Sequence, residues 1–191
     1  MRAGLLAVFS GLVLAAPVSA ENRIGVLGGV NLASLSGPFL PVTRLEGGVV
    51  VDVGLGGRLS LRFEPMSLGK GGDYSCEACA TPPAFYKNFR LSYVELPVLM
   101  SLSVGTGSVR PYFLAGPAVS YMTNAEVGAN RTDVGIIFGG GGGVPAGGAL
   151  LFVEVRYSRG FRSMLKDVSG FGLKNVGVHL AAGVTFGLGH R

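Results

Sequence analysis

The residue types best suited to catalysis or metal binding are scarce, because the 191-residue chain has two cysteines and two histidines. Cys76 and Cys79 enclose Glu-Ala, a spacing that occurs in redox and zinc sites. A zinc site needs four ligands, and His179 and His190 lie far along the chain. Two close thiols in an oxidising compartment more often form a local disulfide. We therefore predict a loop disulfide between Cys76 and Cys79 and no metal site.

His179 is the histidine to weigh for hydrolytic chemistry, in which a serine hydroxyl donates a hydrogen bond to the imidazole. It lies in an alternating segment, on the face that carries small and polar residues. An enzyme that modifies membrane lipids needs its catalytic groups at the lipid surface, so this position favours a plain hydrogen-bonding role. The glycine run 139–143 precedes Val144-Pro145 and cannot open the helix of a phosphate-binding loop. We predict no catalytic residue and no cofactor.

Charged residues recur two positions apart, with apolar residues between them. Arg62 and Glu64 follow this pattern, and so do Glu154 and Arg156. A period of two is typical of a β-strand with two unlike faces. The segments in which we predict strands are 23–33, 43–55, 58–64, 91–104, 109–123, 133–144, 149–157 and 175–188.

The composition places these strands in a membrane. Hydrophobic residues make up 48% of the chain and charged residues 14%, against about 25% charged residues in ordinary soluble domains. Beyond residue 20, no apolar run reaches the length of about 18 residues that a helical span needs. A sheet can cross a bilayer only as a closed barrel. We therefore predict an all-β protein, an eight-stranded antiparallel up-and-down transmembrane β-barrel.

The first twenty residues form a separate unit. Arg2 gives a positive start, an apolar run follows, and Val18-Ser19-Ala20 is a small-residue cleavage site. This pattern is typical of a secretory signal peptide, whereas Pro17 and the short run argue against a transmembrane anchor. We predict a signal peptide over 1–20 and a β-barrel domain over 21–191.

The connections between the predicted strands alternate in length, as the extracellular loops and periplasmic turns of outer-membrane barrels do. Loop 67–88 is the longest, and its aromatic residues make it the candidate contact surface for an extracellular partner. The alternative is a solvated cap over the barrel mouth. The long connections are 34–42, 67–88, 124–132 and 159–174, and the short ones are 54–57, 105–108 and 145–148.

Closing the sheet turns its charged faces inward. Eight strands leave an interior that side chains just fill, so we expect the inward charges to form an ion-pair network that plugs the lumen. A conducting pore more often has a wider barrel or a ring of one charge sign. Glycines 139–143 either leave room for long side chains from neighbouring strands or mark curvature of their own strand. The expected network consists of Arg62, Glu64, Glu95, Glu154 and Arg156.

Three motifs resemble those of the small outer-membrane β-barrel domain family that includes PorT-like and OmpX-like proteins. They are Tyr93-Val94-Glu95-Leu96-Pro97, the segment from Pro111-Tyr112 to Gly116-Pro117, and Glu154-Val155-Arg156-Tyr157. The resemblance implies a barrel in the outer membrane of a diderm bacterium, usually without catalytic activity. One departure concerns assembly, since such barrels often end on an aromatic residue, whereas Phe186 here is followed by Gly-Leu-Gly-His-Arg.

We therefore predict an integral outer-membrane protein with a structural or surface-interaction role and no catalysis. A small porin-like or ligand-transporting barrel is one alternative, and a lipid-modifying enzyme is another. The expected partners are outer-membrane lipid, the outer-membrane assembly machinery and an extracellular partner at loop 67–88. The net charge is +5, but the basic residues are scattered along the chain, so the charge gives no reason to expect nucleic-acid binding.

Overall fold

The computed structural model describes residues 21–37, 39–74, 89–105, 107–124, 130–163 and 173–189, and these form ten β-strands. None of the described residues forms a helix that is long and apolar enough to cross a bilayer. The strands are β1 (Arg23–Leu35), β2 (Phe39–Leu40), β3 (Val42–Gly56), β4 (Leu59–Phe63), β5 (Met66–Tyr74), β6 (Phe89–Ser103), β7 (Arg110–Met122), β8 (Thr132–Ala146), β9 (Ala149–Gly160) and β10 (Asn175–Gly187).

The strands close into a ring, because β1 pairs with β10 on one side and with β3 on the other. All pairings are antiparallel. Strands β4 and β5 form one span that is interrupted at Glu64-Pro65, and both pair with β6. The short β2 lies beside β5 and adds no span. The result is an eight-stranded antiparallel barrel, which confirms the predicted fold class.

The two faces of each strand differ in the way that the alternation predicts. Apolar side chains on the outer face remain exposed, such as Val26 at 55%, Phe113 at 61% and Leu180 at 56%. Alternate residues on the same strands point inward and are buried, such as Leu27 and Leu114. This arrangement suits the hydrocarbon core of a bilayer, because apolar side chains face the lipid and every strand has its backbone groups paired with its neighbours.

The predicted loop 67–88 is wrong in its first part, since β5 runs to Tyr74. The strand continues past residue 67 because alternate residues still point into the lumen: Lys70 follows Met66 and Leu68 on the inward face and is buried there. The glycines on both sides of Lys70 concealed this strand, as they carry no apolar alternation. The signal peptide over 1–20 and the pair Cys76–Cys79 lie outside the described residues.

Two glycines of β8 lie where the neighbouring strands approach closely. A Cβ at Gly141 would come within 2.4 Å of the Val153 carbonyl oxygen, 2.7 Å of the Glu154 Cβ and 2.8 Å of the Tyr112 hydroxyl. A Cβ at Gly139 would meet the backbone and side chain of Arg156. Both interpretations of the glycine run apply at these two positions, because the nearest atoms include the β9 backbone as well as the side chains of Glu154, Arg156 and Tyr112. Glu154 and Arg156 reach the lumen over these glycines.

The short turns gather at one end of the barrel. Their described residues are 57–58 between β3 and β4, 104–105 and 107–109 between β6 and β7, and 147–148 between β8 and β9. The first and last residues of the ring, Arg23 and Gly187, pair with each other at this end as well. We call it the short-turn end, and we call the opposite end of the barrel the long-loop end.

Candidate functional site

The middle of the lumen holds five charged side chains, which we call the central cluster: Asp52, Arg62, Glu64, Glu154 and Arg156. All five are at least 95% buried. The Arg62 guanidinium donates from Nε to Asp52 Oδ1 at 2.6 Å and from Nη1 to Glu154 Oε2 at 3.2 Å. Arg156 donates from Nη2 to Glu64 Oε1 at 2.7 Å and also binds Glu154.

The bonds of the central cluster cross the lumen. In the ring, β4 and β9 are separated by β6, β7 and β8 on one side and by β3, β1 and β10 on the other. Arg62 on β4 bonds to Glu154 on β9, and Arg156 on β9 bonds to Glu64 at the end of β4. Opposite walls of the barrel are therefore joined by two charge-assisted contacts, the strong class of protein hydrogen bond.

Aromatic rings enclose the cluster. The Arg62 guanidinium lies 5.4 Å from the ring centre of Tyr112 and 5.3 Å from that of Phe152. The Tyr112 hydroxyl donates to Glu154 Oε2 at 3.1 Å. Stacking on aromatic faces suits the planar guanidinium, which is more weakly hydrated than an ammonium group.

The expectation that Glu95 shares this network is wrong. Its Oε2 accepts hydrogen bonds from Lys70 Nζ at 2.5 Å and from Ser120 Oγ at 2.5 Å. Lys70 also donates to Ser120 at 3.1 Å and lies over the ring of Tyr93. Glu95 lies at a different level along the barrel axis from the central cluster. It pairs with Met66 of β5, which is past the break at Glu64-Pro65 on the side of the long-loop end. Lys70 and Glu95 therefore form a second buried ion pair, which lies between the central cluster and the long-loop end.

More polar groups line the long-loop half of the lumen. Asn175 donates to Asp133 Oδ2 at 3.0 Å and to the Tyr93 hydroxyl at 3.4 Å. Asp133 Oδ1 accepts from the backbone N–H of Arg162 at 3.1 Å. Asn31 donates to the carbonyl oxygen of Gly69 at 2.9 Å. Buried polar groups need such partners, and here they tie β1, β5, β6, β8 and β10 together.

His179 has two side-chain partners inside the barrel. Its Nδ1–H donates to Glu46 Oε2 at 2.5 Å, which leaves Nε2 to accept from the Ser158 hydroxyl at 2.8 Å. This chain of hydrogen bonds from serine to histidine to carboxylate is the arrangement found in a hydrolase triad. His179 is 3% exposed and points into the lumen, away from lipid.

The lumen thus contains several functional residues that sequence reasoning missed. Lys70 was missed as a loop residue, although its parity with Met66 and Leu68 is a usable signal. The contact of Ser158 with His179 was missed because the two residues lie on different strands. Among the described residues, no group of three or more His, Cys, Asp or Glu side chains is arranged to bind a metal ion.

Lys70→Met should lower the free energy of unfolding by about 3 to 5 kcal/mol, because it leaves the buried Glu95 carboxylate without a counter-charge. The double variant Lys70→Met/Glu95→Gln should regain most of this loss. Urea titration of the protein in lipid vesicles measures both. Arg90→Met is the matched control on the same two strands, where an exposed pair with Asp73 at 3.7 Å is worth at most about 1 kcal/mol. Equal losses for Lys70→Met and Arg90→Met would contradict the buried pair.

Comparisons with known proteins agree with this geometry. A family model described as "Outer membrane protein beta-barrel domain" matches residues 19–166. Neisserial surface protein A (NspA) is similar in structure, with 14% identity and a TM-score of 0.57 over 86% of this chain and 96% of that chain.

The attachment invasion locus protein Ail of Yersinia pestis is also similar, with 11% identity and a TM-score of 0.50 over 87% of this chain and 99% of that chain. No curated protein matches the chain. The family model covers most of the sequence, and its barrel matches the closed ring of strands described above. The chain therefore belongs to the outer membrane protein β-barrel domain family and is a protein of the cell outer membrane.

Proposed function

We propose that this protein is a structural or surface-interaction barrel whose lumen is closed to ions and solutes and which catalyses no reaction. The observation that carries the proposal is the pair of bonds between opposite walls, Arg62 to Glu154 and Arg156 to Glu64. Side chains held by these bonds occupy the space through which a solute would pass. Breaking them would expose uncompensated charges in a narrow interior, which is costly.

The rest of the lumen supports the same proposal. The large side chains of Leu99, Tyr112 and Phe152 are buried at the level of the central cluster. The charges are mixed in sign along the lumen, whereas a selective pore has a ring of one sign. With the interior occupied, the surfaces left for interaction are the two mouths and the long loops. We propose that an extracellular partner binds the long-loop end, through the connection that follows β5.

Planar-bilayer recording tests whether the lumen is closed. The wild-type protein should give no steady conductance, because the central cluster occupies the lumen. The variant Glu64→Ala/Arg156→Ala removes one opposite-wall pair without changing net charge and should give measurable conductance. The control Val155→Ala/Arg159→Leu alters outward residues of the same strand and should stay silent. Steady ion-selective conductance of the wild-type protein would favour the porin-like alternative instead.

A lipid-modifying enzyme is the second candidate, and the observation in its favour is the chain Ser158–His179–Glu46. Two observations argue against catalysis by this group of residues. His179 is buried on the inner wall, and the backbone N–H groups of β9 and β10 are used in the strand ladder rather than free as oxyanion donors.

A fluorophosphonate probe, which modifies activated serines, separates these candidates. We expect no labelling of the folded wild-type protein, because His179 is buried on the inner wall and the backbone N–H groups near Ser158 are used in the strand ladder. Outer-membrane lipid incubated with the wild-type protein and with His179→Ala should also remain unmodified in both samples. Labelling that disappears in both Ser158→Ala and His179→Ala would establish the enzyme.

A further inference from the structure

A cavity of about 380 Å³ opens at the short-turn end of the barrel. Its volume lies within the range of small-molecule sites, about 300 to 1,000 Å³. Asp52 and Arg62 of the central cluster line this cavity together with Tyr112, and so do Gly54, Gly56 and Gly57 at the end of β3 and in the turn that follows it. We call this cavity the vestibule.

The charges that line the vestibule are not balanced. Its two carboxylates already have arginine partners, since Glu21 bonds to Arg23 at 2.5 Å and Asp52 bonds to Arg62 at 2.6 Å. Arg58 and Arg110 also line the vestibule. Both are exposed, and neither makes a side-chain hydrogen bond or ion pair with any residue that the structure describes.

The backbone fixes where these two arginines lie. The Arg58 carbonyl oxygen accepts a hydrogen bond from Ser103 N–H at 2.9 Å, and Val104 N–H donates to the Pro111 carbonyl at 2.8 Å. Arg58 and Arg110 therefore flank the end of β6 from its two sides. Both segments are tied to the strand ladder rather than free to separate.

Hydroxyl groups add neutral donors to this arrangement. Ser60, Ser101 and Ser103 line the same vestibule, and Ser101 is 95% buried. Two unpaired guanidinium groups with hydroxyl donors match an oxyanion with several acceptor oxygens, because arginine binds carboxylates and phosphates through parallel N–H···O bonds. A phosphate group is such an oxyanion, and the vestibule is large enough to admit it together with the molecule that carries it.

We propose that the vestibule binds a phosphate group from the periplasmic side, with Arg58 and Arg110 as the principal ligands. The short-turn end faces the periplasm in outer-membrane barrels. The phosphate could come from a soluble phosphate compound or from the headgroup of an anionic lipid of the inner leaflet. This site is additional to the proposed structural role and lies at the opposite end from the long loops.

Titration with inorganic phosphate, followed by ³¹P line broadening at constant ionic strength, tests the site in the protein extracted from the outer membrane. The wild-type protein in phosphatidylcholine vesicles should bind phosphate saturably. Arg58→Gln/Arg110→Gln should bind at least about tenfold more weakly, because it removes two charge-assisted ligands. Arg131→Gln/Arg159→Gln, with the same net charge but altered at the long-loop end, should bind as the wild type does.

A second arm identifies the source of the phosphate. If a lipid headgroup occupies the vestibule, vesicles with phosphatidylglycerol should weaken binding of inorganic phosphate to the wild-type protein by competition; if the source is soluble, the affinity should be the same in both vesicles. Either result supports the site when the Arg58/Arg110 variant loses binding. No saturable binding by the wild type, or equal loss in both double variants, would overturn it. The mobility shift of folded barrels on unheated gels confirms that each variant is folded.

Discussion

The structure depends on the ion pairs that join opposite walls of the barrel. Closure of the sheet satisfies the backbone, but it also turns the polar face of every strand into a narrow interior where water is scarce. Charges in such a space must find partners, and β4 and β9 supply them across the full width of the lumen. The same contacts set the positions of Tyr112 and Phe152 around Arg62.

Several other features follow from this constraint. Gly139 and Gly141 of β8 are required because a Cβ at either position would collide with Arg156 or Glu154 and with the β9 backbone. The second ion pair, Lys70 with Glu95, repeats the arrangement nearer the long-loop end. At the short-turn end the pattern changes, since arginines there outnumber carboxylates among the residues that line the vestibule. The lumen thus has an occupied middle and an open cationic mouth.

Much of this fold could be predicted from single residues and their spacing, because the period of two fixes which face each side chain occupies. The inward placement of Arg62 or Glu154 follows from that parity alone. Partner choice does not, because it depends on the register between distant strands. Glu95 was assigned to the wrong network for this reason. The inward position of Lys70 was not predicted, because the glycines around it show no apolar alternation. The contacts among Glu46, Ser158 and His179 were not predicted either, because these residues lie on three different strands.

The most direct measurement of the central claim is the stability of Arg156→Met beside that of Arg159→Met, in lipid vesicles under urea. Both substitutions remove one arginine from β9, but Arg156 is 4% exposed inside the lumen and Arg159 is exposed outside it. Loss of Arg156 leaves Glu64 and Glu154 short of a counter-charge and should cost about 3 to 5 kcal/mol, whereas loss of Arg159 should change stability by no more than about 0.5 kcal/mol. Equal effects of the two substitutions would contradict the account.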